Sequence, residues 1–97
     1  MGYKIRWADE AIRNLDDTLQ YLESEFTQKE VDSFKAKLKS LINLISQTPA
    51  LFPVSIHNSR FRKSVLSKQT TVYYEVKDDQ VILALIFNSK RDPKNIS

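Results

Sequence analysis

Cysteine is missing from this chain of 97 residues, and histidine occurs once, as His57. Without thiolates and with a single imidazole there are no ligands for a structural zinc site, no thiol nucleophile and no disulfide framework. Glycine also occurs once, as Gly2. No glycine-rich loop can therefore bring backbone amides onto a phosphate, which excludes Walker-type and dinucleotide-binding fingerprints. The longest apolar run, Val81 to Phe87, is far below the roughly 20 residues that cross a bilayer, and no charged-then-apolar leader opens the sequence. The expectation is a cytoplasmic protein with no membrane contact, no metal and no cofactor.

What is present, 41% hydrophobic and 28% charged residues, fits one compact domain over 1–97, since domains commonly run about 100–150 residues. A domain this short buries only about 60–65% of the surface its unfolded chain exposes, so most aromatic and aliphatic residues are needed for the core. Charge is uneven. Residues 1–50 hold seven Lys/Arg against eight Asp/Glu, whereas residues 51–97 hold eight against four. A basic half favours phosphate-rich or acidic partners, although a run of charge is commonly a solvated face.

Tyr3 to Trp7 alternates apolar and polar residues, the period of a half-buried strand over 1–7. From Ala8 the period becomes helical, with Ala8, Ala11, Ile12, Leu15, Leu19, Leu22 and Phe26 three or four apart and Asp9 and Glu10 in the first turn. Thr27 and Glu30 have the spacing of a capping box, flanked by Phe26 and Val31 at the staple positions, so a second helix starts at Gln28. Its stripe is Val31, Phe34, Leu38, Leu41, Ile42 and Ile45, and Pro49 stops it near Gln47. The pair spans 8–47 and must form an antiparallel hairpin. Residues 48–58, with Pro49 and Pro53, read as an ordered loop. A three-stranded antiparallel meander over 59–87 follows: Phe61 to Leu66 as an edge, Thr70 to Val76 in the middle, Gln80 to Phe87 deeply buried, with Asp78 and Asp79 turning the last pair. A basic tail over 88–97 is broken by Pro93. The fold class is α+β, with the helical hairpin on one face of a mainly antiparallel sheet.

This order of elements resembles the RelE/ParE family of bacterial type II toxins. Ile5-Arg6-Trp7 followed by Ala11 and Leu15 is similar to the family's opening, and Pro49 and Pro53 to its loop after the second helix. Arg62-Lys63 and Val72-Tyr73-Tyr74-Glu75-Val76 resemble its basic strand and tyrosine strand, and Phe87-Asn88-Ser89-Lys90-Arg91-Asp92-Pro93 its closing segment. The resemblance implies a toxin neutralised by a cognate antitoxin that wraps a disordered segment over it. It implies one of two targets: the messenger RNA in the ribosome, cleaved by RelE-like members, or DNA gyrase, blocked by ParE-like members.

Cleavage of RNA by its 2′-hydroxyl needs a base, an acid and cations around the phosphorane. Cations are plentiful. Strand alternation places Arg60 and Arg62 on one face and Lys63 on the other, with Lys68, Lys90 and Arg91 at strand ends. Arg62 and Arg91 are the strongest candidate phosphate contacts, because a guanidinium meets a phosphate through two hydrogen bonds. With Lys68 and Glu75 they form the catalytic set a nuclease would need. Proton-transfer groups are scarce: Asn88 stands where the family's nucleases often carry histidine, and no tyrosine follows Tyr74. His57 reads as an ordinary loop histidine, Trp7 as core, and Lys29, Lys35, Lys37 and Lys39 as a solvated helix face. Of Tyr73 and Tyr74, one enters the core and the other lines the open face.

The surface expected to meet target or antitoxin comprises Arg60, Arg62, Lys63, Lys68, Tyr73, Tyr74, Lys90 and Arg91. The missing late histidine or tyrosine favours a ParE-like toxin acting on gyrase without nuclease chemistry. A RelE-like messenger RNA endonuclease and a degenerate module that only binds antitoxin are the alternatives. DNA is expected to be met only through the antitoxin, whose acidic amphipathic segment suits exposed basic and aromatic positions and an apolar groove at the second helix or sheet edge.

Overall fold

The computed structural model describes residues 2–89. Strand β1 (Lys4–Trp7) is followed by helices α1 (Asp9–Glu25) and α2 (Gln28–Gln47), a single 3-10 turn (Pro49–Leu51), and strands β2 (Arg62–Val65), β3 (Thr70–Lys77) and β4 (Gln80–Asn88). Both ends of α2 are set by local chemistry. The Glu30 amide donates to Thr27 Oγ1 while the Thr27 amide donates to Glu30 Oε1, each at 3.3 Å, so the capping box forms in both directions. Pro49, which cannot donate an amide, begins the 3-10 turn and ends α2.

The sheet order is β1-β4-β3-β2. The meander is antiparallel, as its alternation predicts, with Asp78 in the left-handed region (φ 57°) at the tight turn that joins β3 and β4. β1 adds a parallel pairing, Lys4 with Gln80 through Trp7 with Leu83, which makes the sheet mixed. Its start is also tied to α2, where the Tyr3 amide donates to the Ser46 carbonyl at 2.7 Å.

Both helices cover one face. Ala11 of α1 and Leu38 and Ile45 of α2 pack with Val72, Tyr74, Val81, Leu83 and Ile86 in a single buried cluster. The expected α1 stripe needs correction at its flanks: Ile12 is 51% exposed and Phe26 40%, whereas Thr18 is buried. Ala11, Leu15, Thr18 and Leu22 form the true inward line, because α1 rests on β4 rather than facing a second layer on its Ile12 side.

β4 carries a bulge that local alternation does not reveal. Tyr73 pairs with Leu85 but Tyr74 with Leu83, leaving Ala84 as the extra residue. The inward set therefore shifts from Val81 and Leu83 to Ile86 and Asn88. β1 ends beside Leu83, so the Ile86 amide beyond it has no strand on that side; it donates instead to Asn14 Oδ1 of α1 at 3.1 Å. Asn14 is held in turn by Glu10, whose Oε2 accepts from its amide nitrogen at 3.0 Å.

Candidate functional site

The face of the sheet away from the helices is where the basic strand and the tyrosine strand meet. Tyr74 points into the core, fully buried, and its hydroxyl donates to the Pro49 carbonyl at 2.6 Å. Burial raises its pKa, with the nearby Arg62 charge offsetting part of that rise. Tyr74 is therefore a structural phenol rather than a surface contact. Tyr73, its neighbour in sequence, is half-buried on the opposite face.

Arg60 and Arg62 do not share a face. Regular strand begins only at Arg62, because Asn58 to Phe61 is a turn closed by the Phe61 amide on the Asn58 carbonyl (3.0 Å) and the Arg60 amide on Asn58 Oδ1 (3.1 Å). The turn resets the alternation. Arg62 lies on the side of the buried Ser64, and its Nη1 donates to the Phe52 carbonyl at 2.6 Å and the Ala50 carbonyl at 3.5 Å. It pins the loop after α2.

Arg60 reaches the other face, where Nε and Nη2 hold Glu75 Oε2 and Oε1 at 2.6 and 3.3 Å, and its guanidinium lies 5.3 Å from the centre of the Phe61 ring. These hydrogen bonds keep the Glu75 carboxyl below its ordinary range, against a smaller opposing effect of burial, with further help from the charges of Arg60 and Lys77. A carboxylate so engaged on both oxygens is a weaker base than a free one, which counts against Glu75 as the base that RNA cleavage needs.

Lys63 and Lys68 are exposed, Lys63 across from Tyr73 and Lys68 in the turn between β2 and β3, and neither side chain has a hydrogen bond or ion pair among the described residues. Lys90 and Arg91 lie outside the described residues. No three of His, Cys, Asp and Glu converge as a metal site would need among the described residues, and no described helix is long and apolar enough to cross a membrane.

A pocket of about 260 Å³ opens on this face, lined by Ser55, His57, Asn58, Phe61, Tyr73, Ala84 and Leu85. It brings His57 and Tyr73 into one lining. Sequence spacing gives no sign of that, because the Pro53–Asn58 loop folds back along β2, with the Ser55 amide on the Phe61 carbonyl (2.8 Å) and the Lys63 amide on the Pro53 carbonyl (2.9 Å). The bulge at Ala84 turns both Ala84 and Leu85 into the pocket.

No curated protein matches the chain in sequence. In fold it is similar to a chain of the chromosomal ParDE system from P. aeruginosa, with TM-score 0.75 and 12% identity over 89% of this chain and 95% of that one. It is similar as well to a YoeB/ParE toxin from Agrobacterium tumefaciens (TM-score 0.63, 13% identity, 88% and 96% covered). A chain of the E. coli DinJ-YafQ toxin-antitoxin complex matches with TM-score 0.61 and 12% identity over 94% and 97%. The model of the ParE toxin of type II toxin-antitoxin systems matches residues 5–93, nearly the whole length, and the chain belongs to that family.

Proposed function

We propose that this chain inhibits growth in the cytoplasm as a ParE-like toxin, blocking DNA gyrase by docking on it without cutting nucleic acid, and is neutralised by a cognate antitoxin. The observation that carries the docking reading is how the site's arginines are used. Arg60 is occupied by Glu75 and Arg62 by two loop carbonyls. On the Arg60 face lies a pocket walled by Tyr73, Phe61 and Leu85. Such a surface suits an apolar side chain from a protein better than a phosphorane, which needs several converging cations, since the guanidinium on this face, Arg60, is already engaged by Glu75. The test is a supercoiling assay with purified gyrase: inhibition is expected from the wild-type chain and weaker inhibition from Leu85→Asp. No effect at excess toxin removes gyrase as the target.

A second reading, a ribosome-dependent messenger RNA endonuclease, is favoured by one observation: His57 and Tyr73 share that pocket, and imidazole and phenol are both proton-transfer groups. Cleavage of a ribosome-bound transcript that disappears in both His57→Ala and Tyr73→Phe would put this reading first.

A further inference from the structure

We propose that the slot between α1 and α2 binds a small anionic amphiphile, a single-chain carboxylate whose apolar body lies between the helices and whose head meets Lys35 and Lys39. The inference goes beyond the toxin reading and does not depend on it.

The two helices of the hairpin do not close fully on each other. A slot of about 380 Å³ lies open between them, bounded by Leu15 and Leu19 of α1, Leu38 and Ile42 of α2, and Trp7, which faces the helices as its sheet partner Leu83 does. Only Leu38 is buried; the other four are half-buried. Leu15, Leu19, Leu38 and Ile42 belong to the apolar stripes that bring the hairpin together, where packing to ordinary density leaves few voids larger than a water molecule. This part of the stripes therefore has apolar surface that the fold itself does not cover.

Water is a poor occupant for it. An ordered water needs about two to four polar partners, and these five side chains offer one donor, the Trp7 indole N–H, and no acceptor. Apolar cavities of even about 150 Å³ stay dry and take up apolar molecules instead. The volume here falls within the roughly 300–1,000 Å³ of small-molecule pockets, which are lined mainly by apolar and aromatic side chains with a few polar groups that fix orientation.

The orienting groups are Lys35 and Lys39, which complete the lining. Both are exposed, and neither side chain has a hydrogen bond or ion pair among the described residues. No acidic side chain lines the slot to neutralise them. Four residues apart, they are neighbours one turn along α2, where like charges repel each other. An anion between the two ammonium groups turns that repulsion into two attractions, while the lysine stems extend the apolar walls. Ammonium groups are compact point charges that impose no fork geometry, so a single carboxylate satisfies both. A neutral hydrocarbon leaves the amines unanswered, and nucleic acid meets the amines but brings no apolar chain to enter the slot. One apolar body with one negative head matches both halves of the lining.

The experiment uses the full chain and reads Trp7, its only tryptophan. Titration with hexanoate, octanoate and decanoate, each kept below its micelle-forming concentration, should shift the Trp7 emission to the blue and saturate at one ligand per chain by calorimetry. Each added methylene should tighten binding about threefold. The double variant Lys35→Gln with Lys39→Gln should bind decanoate about tenfold more weakly while binding decanol as the wild type does. Lys29→Gln, on α2 but outside the slot, should change neither affinity. Leu19→Phe fills the slot and should abolish decanoate binding, with circular dichroism verifying that the helices are intact. In the wild type the melting temperature should rise with decanoate concentration. A Trp7 emission that responds to none of the three carboxylates overturns the proposal, as does a double variant that binds decanoate as tightly as the wild type. A response confined to vesicles of anionic phospholipid assigns the slot to a membrane surface, and an emission that shifts with protein concentration alone assigns it to a second copy of the chain. An emission shifted by the antitoxin but by no carboxylate assigns it to that protein. Each of these three results overturns the proposal too.

Discussion

On the helix-covered face of the sheet, Val72, Tyr74, Val81, Leu83 and Ile86 are buried against α1 and α2. On the opposite face Tyr73, Leu85 and Phe87 remain half-buried, and Glu75 is neutralised by a residue from a turn. Two adjacent tyrosines on β3 thus live under different constraints. Tyr74 has its ring enclosed, edge-on to Phe52 at 6.5 Å, and its hydroxyl committed to a carbonyl. Tyr73 has a pocket wall and open solvent. Identity is dictated by packing on the first face, whereas the second leaves it free for recognition.

The sharpest way to break that comparison is to truncate each ring. Tyr74→Ala removes a fully buried aromatic and should cost about 3–5 kcal/mol in urea unfolding. Tyr73→Ala should cost less than about 1 kcal/mol yet impair whatever activity the open face has. Equal losses of stability would mean that the open face is as much core as the other.

The helix-covered face was also the legible one. Periodicity, the Thr27–Glu30 box and Pro49 define both helices, and β-branched alternation defines the meander, because these signals are local. The parallel pairing of β1 with β4 is not local, since nothing near Lys4 in sequence names Gln80 as its partner. The buried Thr18 and the bulge at Ala84 are missed for the same reason: each depends on what packs opposite. At the site, alternation correctly separates Tyr73 from Tyr74 but fails for Arg60 and Arg62. A turn at Asn58 interrupts the strand, and the acceptors of Arg62 are loop carbonyls that no spacing rule contains.

The two arginines extend the comparison to charge. Arg62→Ala frees the loop that Tyr74 also grips, and should cost roughly 1.5–3 kcal/mol, the range for hydrogen bonds to a charged group. Arg60, 66% exposed in its side chain, should be replaceable by alanine with little change in melting temperature. Its loss should be felt instead at the open face, where Glu75 becomes an uncompensated negative charge. Asn14→Leu probes the helix-covered face more gently. It leaves the Ile86 amide without an acceptor and should lower stability by about 1–2 kcal/mol, with faster hydrogen exchange confined to Ile86 and its neighbours on β4.

The smallest effect is a dependence on pH that belongs to the open face. The Glu75 carboxyl titrates below its ordinary value because Arg60 holds it, so in the acid range the unfolded chain binds the proton more readily than the folded one. Stability from this pair is therefore fully present above the unfolded value, near 4.5, and is lost as pH falls through the lowered folded value. Glu10, lowered chiefly by hydrogen bonds from Arg13 and Asn14, adds a dependence of the same sign. Melting temperatures measured from pH 6 down to pH 3 should decline less steeply in Glu75→Gln than in the wild type, and Arg60→Ala should flatten the curve in the same way. A wild-type slope retained in both variants would assign the acid sensitivity to other carboxylates and leave the Arg60–Glu75 pair as surface decoration, with both faces of the sheet then indifferent to it.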